Sequence, residues 1–258
     1  MTAFTLDAFR LDGKTALVTG ASRGLGQAMA IALAQAGADI VSVSTTKVQP
    51  ETQAAVVACG RRFEAVACDI GQASTAVIED VLDIAESACG ACEILVNNAG
   101  IIRRAAAVDY SDADWYAVVD TNLTGVFRLC RSAGRRMIAR GGGKIINVAS
   151  LLSFTGGINV PAYSASKGAV MQLTKALANE WAVHDVQVNA IAPGYFATDN
   201  TAALRADERR NAEILARIPT GRWGVPGDLM GAVVFLASSA SRYVSGHTLV
   251  VDGGFAAR

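Results

Sequence analysis

Short apolar runs alternate with amphipathic stretches along nearly the whole chain, and few architectures accommodate that order. The runs lie at 15–19, 40–43, 64–68, 94–96, 144–148, 187–191 and 248–251. Several are continuously apolar, as expected for strands covered on both faces. Helical spacing of apolar residues marks 24–36, 51–58, 74–88, 112–139, 162–183 and 228–236. This alternation predicts an α/β fold, a doubly wound parallel sheet of seven strands with helices on both faces. No linker, repeat or low-complexity segment divides it, so 1–258 reads as one domain. The segment 197–218 breaks the alternation. It is polar and helical and follows a strand end, which reads as a lid over a site.

Composition narrows the classes of function. Hydrophobic residues make up 52% and charged residues 18% of the 258, enough for a core and too apolar for general disorder. Lys plus Arg (23) equals Asp plus Glu (23), so no basic excess advertises a nucleic-acid partner. Arg131, Arg135 and Arg136 sit on an expected helix and read as a solvated face or a subunit contact. No basic, apolar and small-residue succession of a signal peptide opens the chain, and no apolar run is long enough to span a membrane. Five scattered cysteines, Cys59, Cys68, Cys89, Cys92 and Cys130, suggest reduced thiols and a cytoplasmic setting. Cys89 and Cys92 form a CxxC. A zinc site would need two more ligands nearby, and the only histidines are His184 and His247, so no metal is expected.

The first strand runs into Thr19-Gly20-Ala21-Ser22-Arg23-Gly24-Leu25-Gly26, where a helix begins. Gly20 permits the tight turn, while Gly24 and Gly26 let backbone and helix approach a pyrophosphate. The opening amides of the helix would face the phosphates, aided by the helix dipole. Strand, turn and helix in this order are what dinucleotide binding of the Rossmann type requires.

The spacing TGxxxGxG resembles that of the short-chain dehydrogenase/reductase family, and further motifs in order extend the resemblance. Asn97-Asn98-Ala99-Gly100 follows the fourth strand and Ser150 ends the fifth. Tyr163-Ser164-Ala165-Ser166-Lys167 opens the next helix, Pro193-Gly194 follows the sixth strand, and Val251-Asp252-Gly253-Gly254 closes the last. The resemblance implies dinucleotide contacts from Gly20, Ser22, Arg23, Gly24, Leu25, Gly26, Asn97, Pro193 and Gly194, and from Asp69 and Ile70 beside the adenine. For Asp69, a turn or helix-terminal aspartate is the competing reading. The second strand ends at Ser44, which cannot repel a 2′-phosphate as a carboxylate would. Arg23 and Lys47 could attract one. The expected cofactor is NAD, with NADP permitted.

Tyr163 and Lys167 are four apart on an expected helix and share a face. A free tyrosine ionises near pH ~10; for proton transfer at neutrality its pKa must fall to about 7, or about 4 kcal/mol. A neighbouring ammonium favours the phenolate, which gives Lys167 a physical reason to be there. The resemblance adds that Lys167 and Tyr163 also hold the nicotinamide ribose, that Ser150 holds the substrate oxygen against Tyr163, and that Asn122 supports a proton-relay water. The implied reaction is reversible oxidation of a secondary alcohol, with Tyr163 as general base one way and general acid the other.

Fold and triad do not specify a substrate. Arg103 and Arg104 follow Ile101-Ile102 on the loop after the fourth strand, where a guanidinium could clamp a carboxylate bidentately. Arg103 is taken as the leading ligand, beside Ser150 and Tyr163. The strings Leu152-Ser153-Phe154, Ala192-Pro193-Gly194-Tyr195 and Ile218-Pro219-Thr220-Gly221-Arg222-Trp223-Gly224 resemble the family's sugar-acid dehydrogenases. This implies a keto-deoxy sugar acid as substrate and a homotetramer. A gluconate-type enzyme and an acyl-carrier-protein ketoreductase are the alternatives within the family. A non-catalytic dinucleotide sensor is the alternative outside it, and would not need Ser150, Tyr163 and Lys167. Trp181, spaced helically from Val170, Leu173 and Leu177, reads as core or helix packing. Trp223 reads equally as pocket or lid packing.

Overall fold

The computed structural model describes residues 5–257, so the first four residues of the N-terminal stretch and Arg258 lie outside it. The seven described strands are β1 (Thr15–Thr19), β2 (Asp39–Ser44), β3 (Phe63–Ala67), β4 (Cys92–Asn97), β5 (Gly143–Val148), β6 (Val186–Pro193) and β7 (Thr248–Val251). They form one sheet in the order β3-β2-β1-β4-β5-β6-β7. Every pairing is parallel. Most observed strands run one or two residues beyond the expected limits.

Side chains alternate between the two sheet faces, and each face has its own core. Leu17, Leu95, Ile145 and Val188 face one side. There they meet α3 (Thr75–Cys89), α5 (Gly125–Arg140) and α6 (Pro161–Trp181). Ala16, Val18, Ile94, Val96 and Ile146 face the other. Their partners are α1 (Gly24–Gln35), α2 (Pro50–Ala58) and α9 (Met230–Ala237). The remaining helices are α4 (Asp112–Val119), α7 (Ala202–Ala206) and α8 (Glu208–Leu215).

The expected helix at 112–139 is continuous but not uniform. Between α4 and α5 the residues Asp120–Thr124 form a π-helical turn. One extra residue per turn changes which side chain faces inward, and such turns concentrate at functional sites. Here it leaves Asn122 fully buried. The parallel order reverses at β1, between β2 and β4. A crevice forms at the carboxyl ends of strands where the order reverses, and ligands of doubly wound sheets bind there. No helix among the described residues is long and apolar enough to cross a membrane.

Candidate active site

The glycine loop leaves β1 as expected and enters α1 at Gly24, with Arg23 extended at the N-cap. Gly20 and Gly24 have φ of 67° and 60°, a left-handed backbone that disfavours side chains. A Cβ on Gly26 would collide with the Gly20 carbonyl, whereas one on Gly24 would meet nothing within 4 Å. The loop is therefore packed on its sheet side and open on the outer side, which fits a pyrophosphate laid against backbone amides. Ser22 is half-buried in the turn, and Leu25 packs on the α1-side core.

Two residues given no role from the sequence hold this loop. The Thr19 hydroxyl accepts the N–H groups of Asn98 (3.0 Å) and Ala99 (2.9 Å). The Asn98 amide donates to the carbonyls of Thr19 (2.9 Å) and Gly20 (3.2 Å). The ends of β1 and β4 are thus tied together across the switch point. Both residues lay within recognised motifs, but only their pairing shows what they do. Asn97, by contrast, turns into the core, where its amide donates to Asn147 (2.8 Å).

Other expected cofactor residues line the same edge. Ser44 is committed locally, its hydroxyl donating to Thr46 O and accepting from Gln49, so the end of β2 is neutral. Asp69 is exposed and accepts the Gly71 N–H at 3.0 Å, so its turn role is realised, while the Ile70 side chain joins the core. Pro193 ends β6. A Cβ on Gly194 would lie 2.6 Å from Asp252 Cα, which is why that position carries none.

Beside this crevice, the turn after β5 and the start of α6 bring Ser150, Tyr163 and Lys167 together. The Ser150 hydroxyl lies near enough to the Tyr163 phenol to favour its ionisation. Lys167 is buried, with Nζ 5.8 Å from the centre of the Tyr163 ring and donating to the Val148 carbonyl at 2.6 Å. Burial lowers the Lys167 pKa to about 8. For Tyr163 the expected downward shift is not what the protein alone supplies. Burial pushes the phenol up, and the nearby Ser150 hydroxyl and the charge of Arg104 pull it partly back. The structure thus leaves the phenol protonated at neutral pH.

Asn122 faces the same region from the π-helical turn. Its side chain accepts the Ile101 N–H (2.8 Å), donates to the Ile101 carbonyl (2.9 Å) and donates to Ser166 Oγ (3.2 Å). It clamps the loop that carries the two arginines. Those arginines diverge. Arg103 turns its guanidinium to Asp114, 3.6 Å away. Arg104 donates to the Asn200 carbonyl at 3.2 Å and acts electrostatically on Tyr163. The two arginines of this loop thus have different partners, Arg103 an exposed ion pair on α4 and Arg104 the backbone of the segment 197–218.

The segment 197–218 folds as a short 3-10 turn, α7 and α8. Ile214 and Ile218 pack with Leu151 and Phe255 in a small separate core. Trp223 stacks edge-on against Tyr195 and donates from its indole to Asn211 of α8 at 2.7 Å, so it packs this segment. Asp199 lies 3.5 Å from Arg23 of the glycine loop. Elsewhere, Cys89 ends α3 and Cys92 begins β4. Both are buried, and burial pushes the Cys92 thiol up to about 12.

A parallel sheet with a glycine loop at its switch point and a Ser–Tyr–Lys cluster on the same edge defines a class, the short-chain dehydrogenases/reductases. A family model described as Enoyl-(Acyl carrier protein) reductase matches residues 20–256, and the chain belongs to this family. It is 56% identical to 2-dehydro-3-deoxy-D-gluconate 5-dehydrogenase of Escherichia coli (strain K12), over 98% of this chain and 99% of that one. The enzyme of the same name from Bacillus subtilis (strain 168) is 54% identical over 98% of each chain. A gluconate 5-dehydrogenase from Burkholderia cenocepacia J2315, solved in complex with NADP and tartrate, aligns with a TM-score of 0.93 at 42% identity, covering 98% of this chain and 99% of that one.

Proposed function

We propose that this protein is an NAD(P)-dependent oxidoreductase that interconverts a secondary alcohol and a ketone on a keto-deoxy sugar acid, the reaction of 2-dehydro-3-deoxy-D-gluconate 5-dehydrogenase. The observation that carries the chemistry is the gathering of three side chains at one strand edge: buried Lys167 has Nζ 5.8 Å from the centre of the Tyr163 ring, and Ser150 lies near enough to the phenol to favour its ionisation. High identity to two enzymes of that name over nearly the full chain supports the substrate class.

The nicotinamide, when bound, supplies or accepts the hydride. The glycine loop 20–26 holds the phosphates, with Asp69, Pro193 and Gly194 along the same edge. Ser150 holds the substrate oxygen against Tyr163. In reduction the protonated phenol is the general acid at that oxygen; in oxidation the phenolate takes the hydroxyl proton. The Lys167 ammonium favours the phenolate electrostatically. Asn122 holds the loop that presents Arg104, and Arg104 pairs with the substrate carboxylate. The segment 197–218 is the lid that shields the reaction from water. The neutral end of β2 and the exposed Arg23 and Lys47 accept NADP as well as NAD. The chain works as one domain, as a cytoplasmic homotetramer. Exposed Trp115, Tyr116 and Phe127 on α4 and α5 support the assembly, and unpaired cysteines support the compartment.

Initial rates with 2-dehydro-3-deoxy-gluconate and gluconate, each with NAD and NADP, test the reading. The keto-deoxy acid should give the higher kcat/KM, and Tyr163→Phe should bind dinucleotide yet lose nearly all turnover. Preference for gluconate would favour the gluconate-type alternative. Near-normal rates in the variant would defeat the assignment of Tyr163.

A further inference from the structure

One side chain joins the turn after β5 to the first turns of α6. Ser153 is the third residue of the 3-10 turn Leu151–Ser153, whose N-cap is Ser150. Its hydroxyl accepts the Ser150 N–H at 3.3 Å and donates to the Lys167 carbonyl at 2.7 Å. A single hydroxyl thus spans the backbones of two of the three reacting-centre residues. The first bond belongs to the local cap. The second does not: a carbonyl inside a helix already receives the N–H four residues on, so it needs no further donor. The shorter bond therefore adds position rather than satisfaction. It fixes the turn that aims Ser150 against the helical turn that aims Tyr163 and Lys167. The Ser150 hydroxyl is itself oriented in this turn, accepting the Leu152 N–H at 3.2 Å.

We propose that Ser153 is a positioning residue for the reaction, tethering the Ser150 turn to α6 at Lys167 and so setting the distance between the Ser150 hydroxyl and the Tyr163 phenol. Rates of oriented reactions are steep in such distances, a displacement of about 1 Å lowering them on the order of 100-fold. Ser153 hydrogen-bonds none of the loop 20–26, Thr19 or Asn98, and it meets Lys167 only at the backbone carbonyl, so the hold on the dinucleotide phosphates is separable from its action.

This inference rests on the reading of Ser150, Tyr163 and Lys167 as the reacting centre. Full-length Ser153→Ala and Ser153→Thr are compared with wild type in kcat, KM, dinucleotide Kd and Tyr163 ionisation. The ionisation is followed by phenolate absorbance as a difference against Tyr163→Phe in the same background. In Ser153→Ala, kcat should fall about 10- to 100-fold with KM and Kd unchanged. The phenol should titrate at higher pH, because its Ser150 partner is no longer held, and Ser153→Thr should restore both. Unchanged kcat and ionisation, or parallel losses of kcat and dinucleotide affinity, would overturn the proposal. The titration needs no turnover, so failure of wild type on every sugar acid would count against the functional reading alone. If Ser153→Ala melts below the assay temperature, Ser153→Cys, close in size and a weaker donor, takes its place. An intermediate loss of kcat is then expected, and full activity overturns the proposal.

Discussion

Burial acts on Tyr163 and Lys167 in opposite directions, and both shifts favour the neutral side chain. Lys167 falls from its ordinary 10.5 to about 8, while the phenol is raised. The consequence for stability can be given a sign. Between about pH 8 and 10.5 the unfolded chain holds a proton on this lysine that the folded chain has released, so the Lys167 contribution to stability grows as pH rises through that window. The full swing is at most about 3 kcal/mol. Lys144, also lowered to about 8 by burial, adds a parallel rise, so a comparison of variants is needed. Relative to Lys167→Met, wild type should gain stability between about pH 7 and 10, read by urea unfolding at each pH. A constant difference across that range would mean that Lys167 is not desolvated in the folded protein. The sequence placed Tyr163 and Lys167 on one helical face, but spacing says nothing of how deeply that face is covered, which sets the direction of each shift.

Two helices show what pattern can and cannot tell. Trp181 was read as core or helix packing, and it packs between α6 and α5, where a Cβ on Gly134 would lie 2.6 Å from its ring. Gly134→Ala should therefore destabilise the fold by about 1–3 kcal/mol through overpacking. Thermal unfolding would show this as a lowered Tm, and an unchanged Tm would mean that α5 and α6 can separate freely. The stretch 112–139 was legible as helical because its apolar spacing persists. The π-helical turn at Asp120–Thr124 was not, since a single extra residue perturbs a 3.6-residue period too little to be read. Yet that turn aims Asn122 at Ile101 and so shapes the arginine loop.

At the scale of the whole molecule, two distant loops converge on adjacent residues of the segment 197–218. Arg23 from the glycine loop meets Asp199, and Arg104 from the loop after β4 meets Asn200. These contacts are exposed and individually weak, so they are easily exchanged for a ligand's charges. A carboxylate taken by Arg104 would form a charge-assisted pair of about 1.5–3 kcal/mol. Arg104→Ala should therefore raise KM for the sugar acid about 10- to 100-fold, with much less effect on a neutral keto sugar. Arg103→Ala, whose side chain is already paired with Asp114, should do less. Equal effects of Arg104→Ala on both substrates in steady-state kinetics would rule out the carboxylate clamp.

The order of strands and helices, the glycine loop and the Ser150–Tyr163–Lys167 set were all decided by the sequence alone. The first two rest on local periodicity or short-range spacing, which a linear chain displays directly, and the third on motifs that resemble a family's. The different partners of Arg103 and Arg104 were decided only by tertiary structure, because they depend on α4 placing Asp114 beside one arginine and on the segment 197–218 lying beside the other. The bonding of Thr19 with Asn98 and of Ser153 with Lys167 belongs to the same kind. Their partners are 79 and 14 residues away in the chain, and only the closed sheet and its packed helices bring them within hydrogen-bond range. The ionisation of the reacting groups is likewise tertiary, because desolvation is a property of everything packed around a side chain rather than of its neighbours in sequence.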